Sequence, residues 1–114
     1  MIIECELFRG SEFVCPGSKC IRNKAYNNQT ALQILSADLK DGAHLKEISG
    51  TTSATVCQQY CESNTQCIGW VWTWPTNFGY ANFCLLRKNS NMNFNYIPGK
   101  PLTGGFKSSI IVWN

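Results

Sequence analysis

The stretch CQQYCESNTQCIGWVWTWPTNFGYANFC, residues 57 to 84, holds four of the seven cysteines. Val56, Cys57, Tyr60 and Cys61 recur at helical spacing on one face, with Gln58, Gln59 and Glu62 on the other. Thr51, Thr52 and Ser53 offer N-cap oxygens for a helix beginning near Ala54, and Ser63-Asn64 ends it after about ten residues. From Cys67 the period drops to two. Ile68, Trp70, Trp72 and Trp74 alternate with Gly69, Val71 and Thr73, the pattern of a central strand half buried under a helix. Pro75 ends that strand because it removes a ladder donor. A loop from Thr76 to Ala81 leads to a second strand over residues 82 to 87, with Cys84 and Leu86 on one face.

Four cysteines allow three pairings. A Cys57–Cys61 bond would tie two turns of one helix and constrain almost nothing. A Cys61–Cys67 bond would pin the helix end to the strand that follows it, and a Cys57–Cys84 bond the helix start to the next strand. In the loop-entropy description these closures contribute about 2 and about 3.5 kcal/mol, comparable with the whole stability of a small domain. The rival is a four-thiolate zinc site, but structural zinc sites present paired C-x2-4-C knuckles, and Cys84 has no near partner in sequence.

Upstream, residues 1 to 30 form an arm with Cys5, Cys15 and Cys20, where Pro16-Gly17 inside CPGSKC marks a turn. Asn28-Gln29-Thr30 is a glycosylation sequon in a polar, exposed stretch. Residues 31 to 114 read as the domain proper. ALQILSADL and AHLKEI, joined by Asp41-Gly42, look like two paired strands. Downstream, NSNMNFNYIPGKP, residues 89 to 101, reads as a long surface loop, and Gly104-Gly105 opens a last strand, FKSSIIVW.

A chain of 114 residues is one domain with an added arm, too short to bury a large core and therefore in want of staples. Seven cysteines place it in an oxidising compartment, secreted or at the cell surface, and the odd count leaves one thiol over. MIIECELFRG lacks the basic start and apolar stretch of a secretory leader, so the expectation is a chain whose leader has been removed or an excised segment. No run approaches the roughly 18 apolar residues of a membrane span. The net charge of +3 is too small to imply nucleic acid, but it is uneven: after Glu62 there is no acidic residue, while Arg87, Lys88, Lys100 and Lys107 follow.

Taken together, these features resemble the PAN/apple domains, whose signature is a helix with C-x3-C, a cysteine soon after, an aromatic-x-aromatic strand and a later C-x-L-K. Here it stands as CQQYC, Cys67, Trp70 and Trp72, and CLLRK with Leu86, followed by GGFKS; DGAHLKEISGTTSATVC is similar to the family's lead-in. The resemblance covers roughly residues 37 to 109. It implies an α+β fold, an antiparallel sheet of about five strands with one helix packed across it, and core disulfides Cys57–Cys84 and Cys61–Cys67. The third bridge that many apple domains form to a C-terminal cysteine has no counterpart here, since no cysteine follows Cys84, and the arm with its three cysteines is unexplained. Cys15–Cys20 is the expected third bridge, which leaves Cys5 as the residue through which a partner would attach.

The resemblance further implies a non-catalytic extracellular binding module, a lectin or adhesion domain without cofactor or metal, whose partner is a galactoside, a sulfated glycan or a cell-surface protein. Trp70 and Trp72 read as core. Trp74, Phe78 and Tyr80 lie at a loop and are the aromatic contact candidates. Arg87, Lys88 and Lys100 are the candidates for meeting sulfate or carboxylate, against the plainer reading of a solvated basic edge. An enzyme is not expected: His44 is the single histidine, placed at an exposed strand start, and no paired carboxylates occur where the core falls. The rival class of function is a protein-interaction domain within a receptor or invasion complex.

Overall fold

The computed structural model describes residues 3–8, 12–14, 33–40, 43–88, 93–107 and 111–113. Through them run β1 (Ile3–Phe8), β2 (Glu12–Val14), β3 (Ile34–Leu35), β4 (Ala37–Lys40), β5 (Ala43–Ile48), α1 (Ala54–Glu62), β6 (Gly69–Thr73), β7 (Cys84–Lys88), β8 (Asn93–Tyr96), β9 (Leu102–Phe106) and β10 (Ile111–Trp113). The organising unit is an antiparallel sheet in the order β3-β9-β6-β7-β5, with α1 across one face. This is an α+β architecture.

Ser53 supplies the N-cap of α1. Its backbone is extended, and its Oγ accepts the Val56 N–H at 3.2 Å, satisfying one of the donors that a helix start leaves open. At the other end the Ser63 N–H donates to the carbonyls of Gln59 and Cys61. A helix of nine residues is marginal by itself in water, and two disulfides hold this one: Cys57–Cys84 ties it to β7, and Cys61–Cys67 ties its end to the approach to β6. Cys57, Cys61, Cys67, Trp70, Cys84 and Leu86 form the buried cluster beneath it, with Leu45, Ile48, Ala54 and Trp72 packed against them.

β6 is central and buried on both faces. Trp70 points to the helix, while Val71, the next residue, is equally buried on the other side. Gly105 stands opposite Trp70 in the β6–β9 register and adds no side chain beside the indole. The second face is covered by a two-stranded ribbon, β4–β8, in which β4 packs against β9 and β6 and buries Ala37 and Leu39. The expected half-buried strand is thus a filling between two layers. The three-stranded sheet β10-β1-β2 joins the beginning of the chain to its end, with β1 parallel to β10.

Four sequence expectations are corrected. The paired strands on either side of Asp41-Gly42 do not form: β4 pairs with β8 and β5 with β7. The first segment is split at Ser36, φ 60°, so that β3 joins the edge of β9 while Ala37 and Leu39 turn to the ribbon core; Leu45 and Ile48 of β5 pack on the helix side instead. The turn residues 41 and 42 themselves lie outside the described residues. Second, the loop assigned to 89–101 contains β8, because residues 93–96 pair with the edge that β4 offers, with Pro98-Gly99 as the turn after it. Third, the single strand expected from the glycine pair onward is two: β9 begins at Leu102 and ends at Phe106, with the glycine pair inside it, and β10 at 111–113 belongs to a different sheet. Fourth, Gln58 is buried and Tyr60 is 41% exposed, the reverse of the face assignment, because Gln58 accepts a 2.5 Å hydrogen bond from Gln33 just ahead of β3. The expected Cys15–Cys20 bridge and the Asn28 sequon lie outside the described residues, and of Cys5 only its place on β1 is described.

Replacing Cys57 and Cys84 by alanine is expected to lower the unfolding free energy by about 3.5 kcal/mol, and replacing Cys61 and Cys67 by about 2 kcal/mol, since the closed loops span 27 and 6 residues. Denaturant melts of the two double variants check this, and a larger loss from the shorter loop would contradict it.

Candidate functional site

With the faces of β6 filled, two aromatic side chains open to solvent, Phe78 and Tyr80, stand on the connection that follows it. Pro75 stops β6, and residues 74–83 return to β7 through a loop held at both ends. At its root the Asn82 N–H donates to the Thr73 carbonyl at 3.0 Å, the Thr73 N–H to the Phe83 carbonyl at 2.9 Å and the Phe83 N–H to Thr73 Oγ1 at 2.8 Å. On one side the Trp74 N–H and the Asn77 side-chain amide both donate to the Pro101 carbonyl, at 3.0 and 3.1 Å. On the other, the Thr51 N–H donates to the Asn82 carbonyl and Trp72 Nε1 to the Thr51 carbonyl, each at 2.8 Å. Within the loop Asn77 and Tyr80 donate to the carbonyls three residues before them, and Gly79, φ 80°, makes the left-handed turn between. Asn82, φ 60°, is one of the few side chains that tolerate that region.

This anchoring decides what each aromatic does. Trp74 is a support: its Nε1 donates to Thr103 Oγ1 at 2.8 Å and it is half-buried. Phe78 is fully exposed, at 102% of its reference area, with no packing of its ring to account for its place. Tyr80, 37% exposed, stacks on Phe83 with centroids 4.3 Å apart and planes 18° from parallel. Tyr80 therefore presents a ring backed by another ring.

Two charged side chains stand beside that stack. A hydrogen bond from the Tyr80 hydroxyl to Glu47, with desolvation and the Glu47 charge, holds the phenol above its ordinary pKa; the positive charge of Arg87 acts in the opposite direction. Glu47 lies opposite Leu85, and His44 opposite Arg87, in the β5–β7 register, so the cluster spreads over the β5–β7 part of the sheet face that α1 does not cover. Arg87 Nε is buried and makes no hydrogen bond among the described residues, a donor held without a partner.

The six ligand candidates from the sequence divide accordingly. Tyr80 and Arg87 come together, with Phe78 on the same loop. Lys100 lies by the Trp74 anchor through Pro101 and is engaged by Asp38 at 3.9 Å. Lys88 is exposed at the far end of β7, opposite Ala43. Lys107, part of the same basic set, donates to the Asn64 carbonyl at 2.7 Å and serves the fold. Glu47, Phe83 and Asn77 are absent from the sequence candidates; the alternation of Lys46 and Glu47 along a strand would have pointed to the first, since it sends one charge to each face. His44 is exposed on an edge strand, as expected. No family model matches the chain, and no curated protein matches it.

The raised Tyr80 pKa fixes a sign. Because the folded state favours the neutral phenol, its contribution is complete below the ordinary tyrosine value of about 10 and is lost as pH rises through the higher folded value. Phenolate absorbance is expected to include a late-titrating component that Tyr80→Phe removes, and the variant to show a flatter loss of stability in that alkaline range. An unchanged alkaline profile in the variant would contradict the contact with Glu47.

Proposed function

We propose that this chain is a non-catalytic, extracellular binding module of the PAN/apple type that recognises carbohydrate through the face formed by Tyr80, Glu47 and Arg87. The observation that carries the reading is the juxtaposition of an open, ring-backed aromatic with a carboxylate and an under-bonded guanidinium. The C–H face of a pyranose packs on an aromatic ring. Planar charged groups at the rim accept from and donate to neighbouring hydroxyls, and hydrogen bonds to charged groups are the stronger ones. The anchoring of the 74–83 loop favours binding, because the ring is held in place before a ligand arrives.

Membership of the PAN/apple class is supported by the helix disulfide-bonded to β7 and to the approach to β6, which is the pairing that the resemblance implies. Disulfides in a chain of this size agree with a secreted or cell-surface location. Among the described residues no helix is long and apolar enough to cross a membrane.

A second reading has its own observation. Phe78 is apolar and entirely exposed at the tip of a fixed loop, a shape suited to filling a pocket on a protein partner. A glycan array read with wild type, Tyr80→Ala and Phe78→Ala separates the two. Saturable binding that falls about tenfold with Tyr80→Ala, while Phe78→Ala and the melting behaviour stay near wild type, supports the carbohydrate reading. A blank array, with binding to a purified surface protein that Phe78→Ala abolishes, contradicts it in favour of the protein reading.

A further inference from the structure

On the opposite face of β5 and β7, between the end of α1 and the sheet edge, lies an open groove of about 390 Å³ that none of the sequence candidates enters. Its floor is apolar, made by Leu86, which is buried, and Ile48, which is half-buried. Tyr60 forms one wall with 41% of its surface open, although it belongs to a helix whose neighbouring cysteines are fully buried. The rim is Ser63, Asn64 and Thr65, of which Ser63 and Thr65 are exposed and carry hydroxyls. Lys46 stands at the mouth, opposite Leu86 in the β5–β7 register, and among the described residues no acidic side chain lines the groove.

The rim is fixed by covalent and hydrogen bonds rather than by packing. It lies within the loop closed by Cys61–Cys67. The Asn64 N–H donates to the Cys61 carbonyl at 3.1 Å, the Asn64 carbonyl accepts from Cys67 N–H and Lys107 Nζ, and its Oδ1 accepts the Gln66 N–H at 2.9 Å. Exposed hydroxyls on a cross-linked turn, beside an open tyrosine ring, cost little ordering when a ligand binds. The volume is at the lower end of the roughly 300–1,000 Å³ of small-ligand sites, enough for about one sugar ring.

We propose that this groove is a second ligand site, for a saccharide ring bearing an anionic substituent, a carboxylate or a sulfate. The ring lies on Tyr60 over Ile48 and Leu86, its hydroxyls meet Ser63 and Thr65, and Lys46, the one charged lining residue among the described residues, meets the anion. The inference rests on the carbohydrate reading above for the class of ligand, but on different residues and a different face. It also assigns the shorter disulfide a role beyond stability, that of holding the rim.

The test is amide chemical-shift mapping of the full chain titrated separately with glucuronic acid, galactose 6-sulfate and galactose. The expected result is saturable shifts at Tyr60 and residues 63–65 with one or both acidic sugars, at least tenfold weaker with galactose. Binding should fall at least tenfold in Tyr60→Ala and severalfold in Lys46→Gln, with spectra of both variants otherwise native. The uronate and sulfate arms identify which anion is read. Equal affinity for galactose, or wild-type affinity in Lys46→Gln, overturns the anionic class. Shifts confined to 78–87 overturn the groove and leave the Tyr80 face standing, and shifts at neither place overturn both.

Discussion

A nine-residue helix forms too few internal hydrogen bonds to persist in water, and α1 persists because both of its cysteines, one turn apart, are bonded out of it. The two bonds act at different ranges. Cys57–Cys84 closes 27 residues and sets the helix over β7, whereas Cys61–Cys67 closes 6 and fixes where the chain enters β6. Trp70 and Leu86 can be fully buried only with the helix in that position, and the burial of β6 from above follows from it. The β4–β8 ribbon then completes the enclosure from below, so the core is built on a strand covered on both faces, with Trp72 alone of its residues partly open.

That enclosure accounts for where binding chemistry can lie. A tryptophan-rich strand suggests a binding face, yet Trp70 is core, Trp72 donates to the Thr51 carbonyl and Trp74 donates to Thr103, so each indole is used by the fold or its loop support. Among the described residues, open aromatic surface is left to the loop beyond Pro75 and to the outward side of α1. Tyr80 and Phe78 occupy the first and Tyr60 the second, and β5 supplies a charge to each side, Glu47 beside Tyr80 and Lys46 beside Tyr60.

Much of this was legible in the sequence where spacing is strict. The change of period between Cys61 and Cys67, the serine before Ala54 and the proline after Trp74 each mark an element end through a local physical cause, and the α+β class with its antiparallel sheet is what the family resemblance built on them implies. What was not legible depended on partners distant in the chain. Asn93-Phe94-Asn95-Tyr96 has the composition of a loop and becomes a strand because β4 offers an edge, and AHLKEI pairs with β7 rather than with its neighbour in sequence because its apolar residues are needed under the helix. The same holds for the candidate sites. Phe78 and Tyr80 could be found from a proline and a glycine, but Glu47 joins Tyr80, and Lys46 joins Tyr60, only through a register that no local pattern encodes.

The position of α1 on the sheet depends on which cysteines are paired, and the pairing is open to direct measurement. Chymotrypsin cleaves after Tyr60, between Cys57 and Cys61, and a glutamate-specific protease cleaves after Glu62, between Cys61 and Cys67. Digestion without reduction, followed by mass spectrometry, is expected to yield one linked peptide pair joining Cys57 to Cys84 and another joining Cys61 to Cys67. Linkage of Cys57 to Cys67 with Cys61 to Cys84, or of Cys57 to Cys61, would place the helix differently on the sheet and contradict the account.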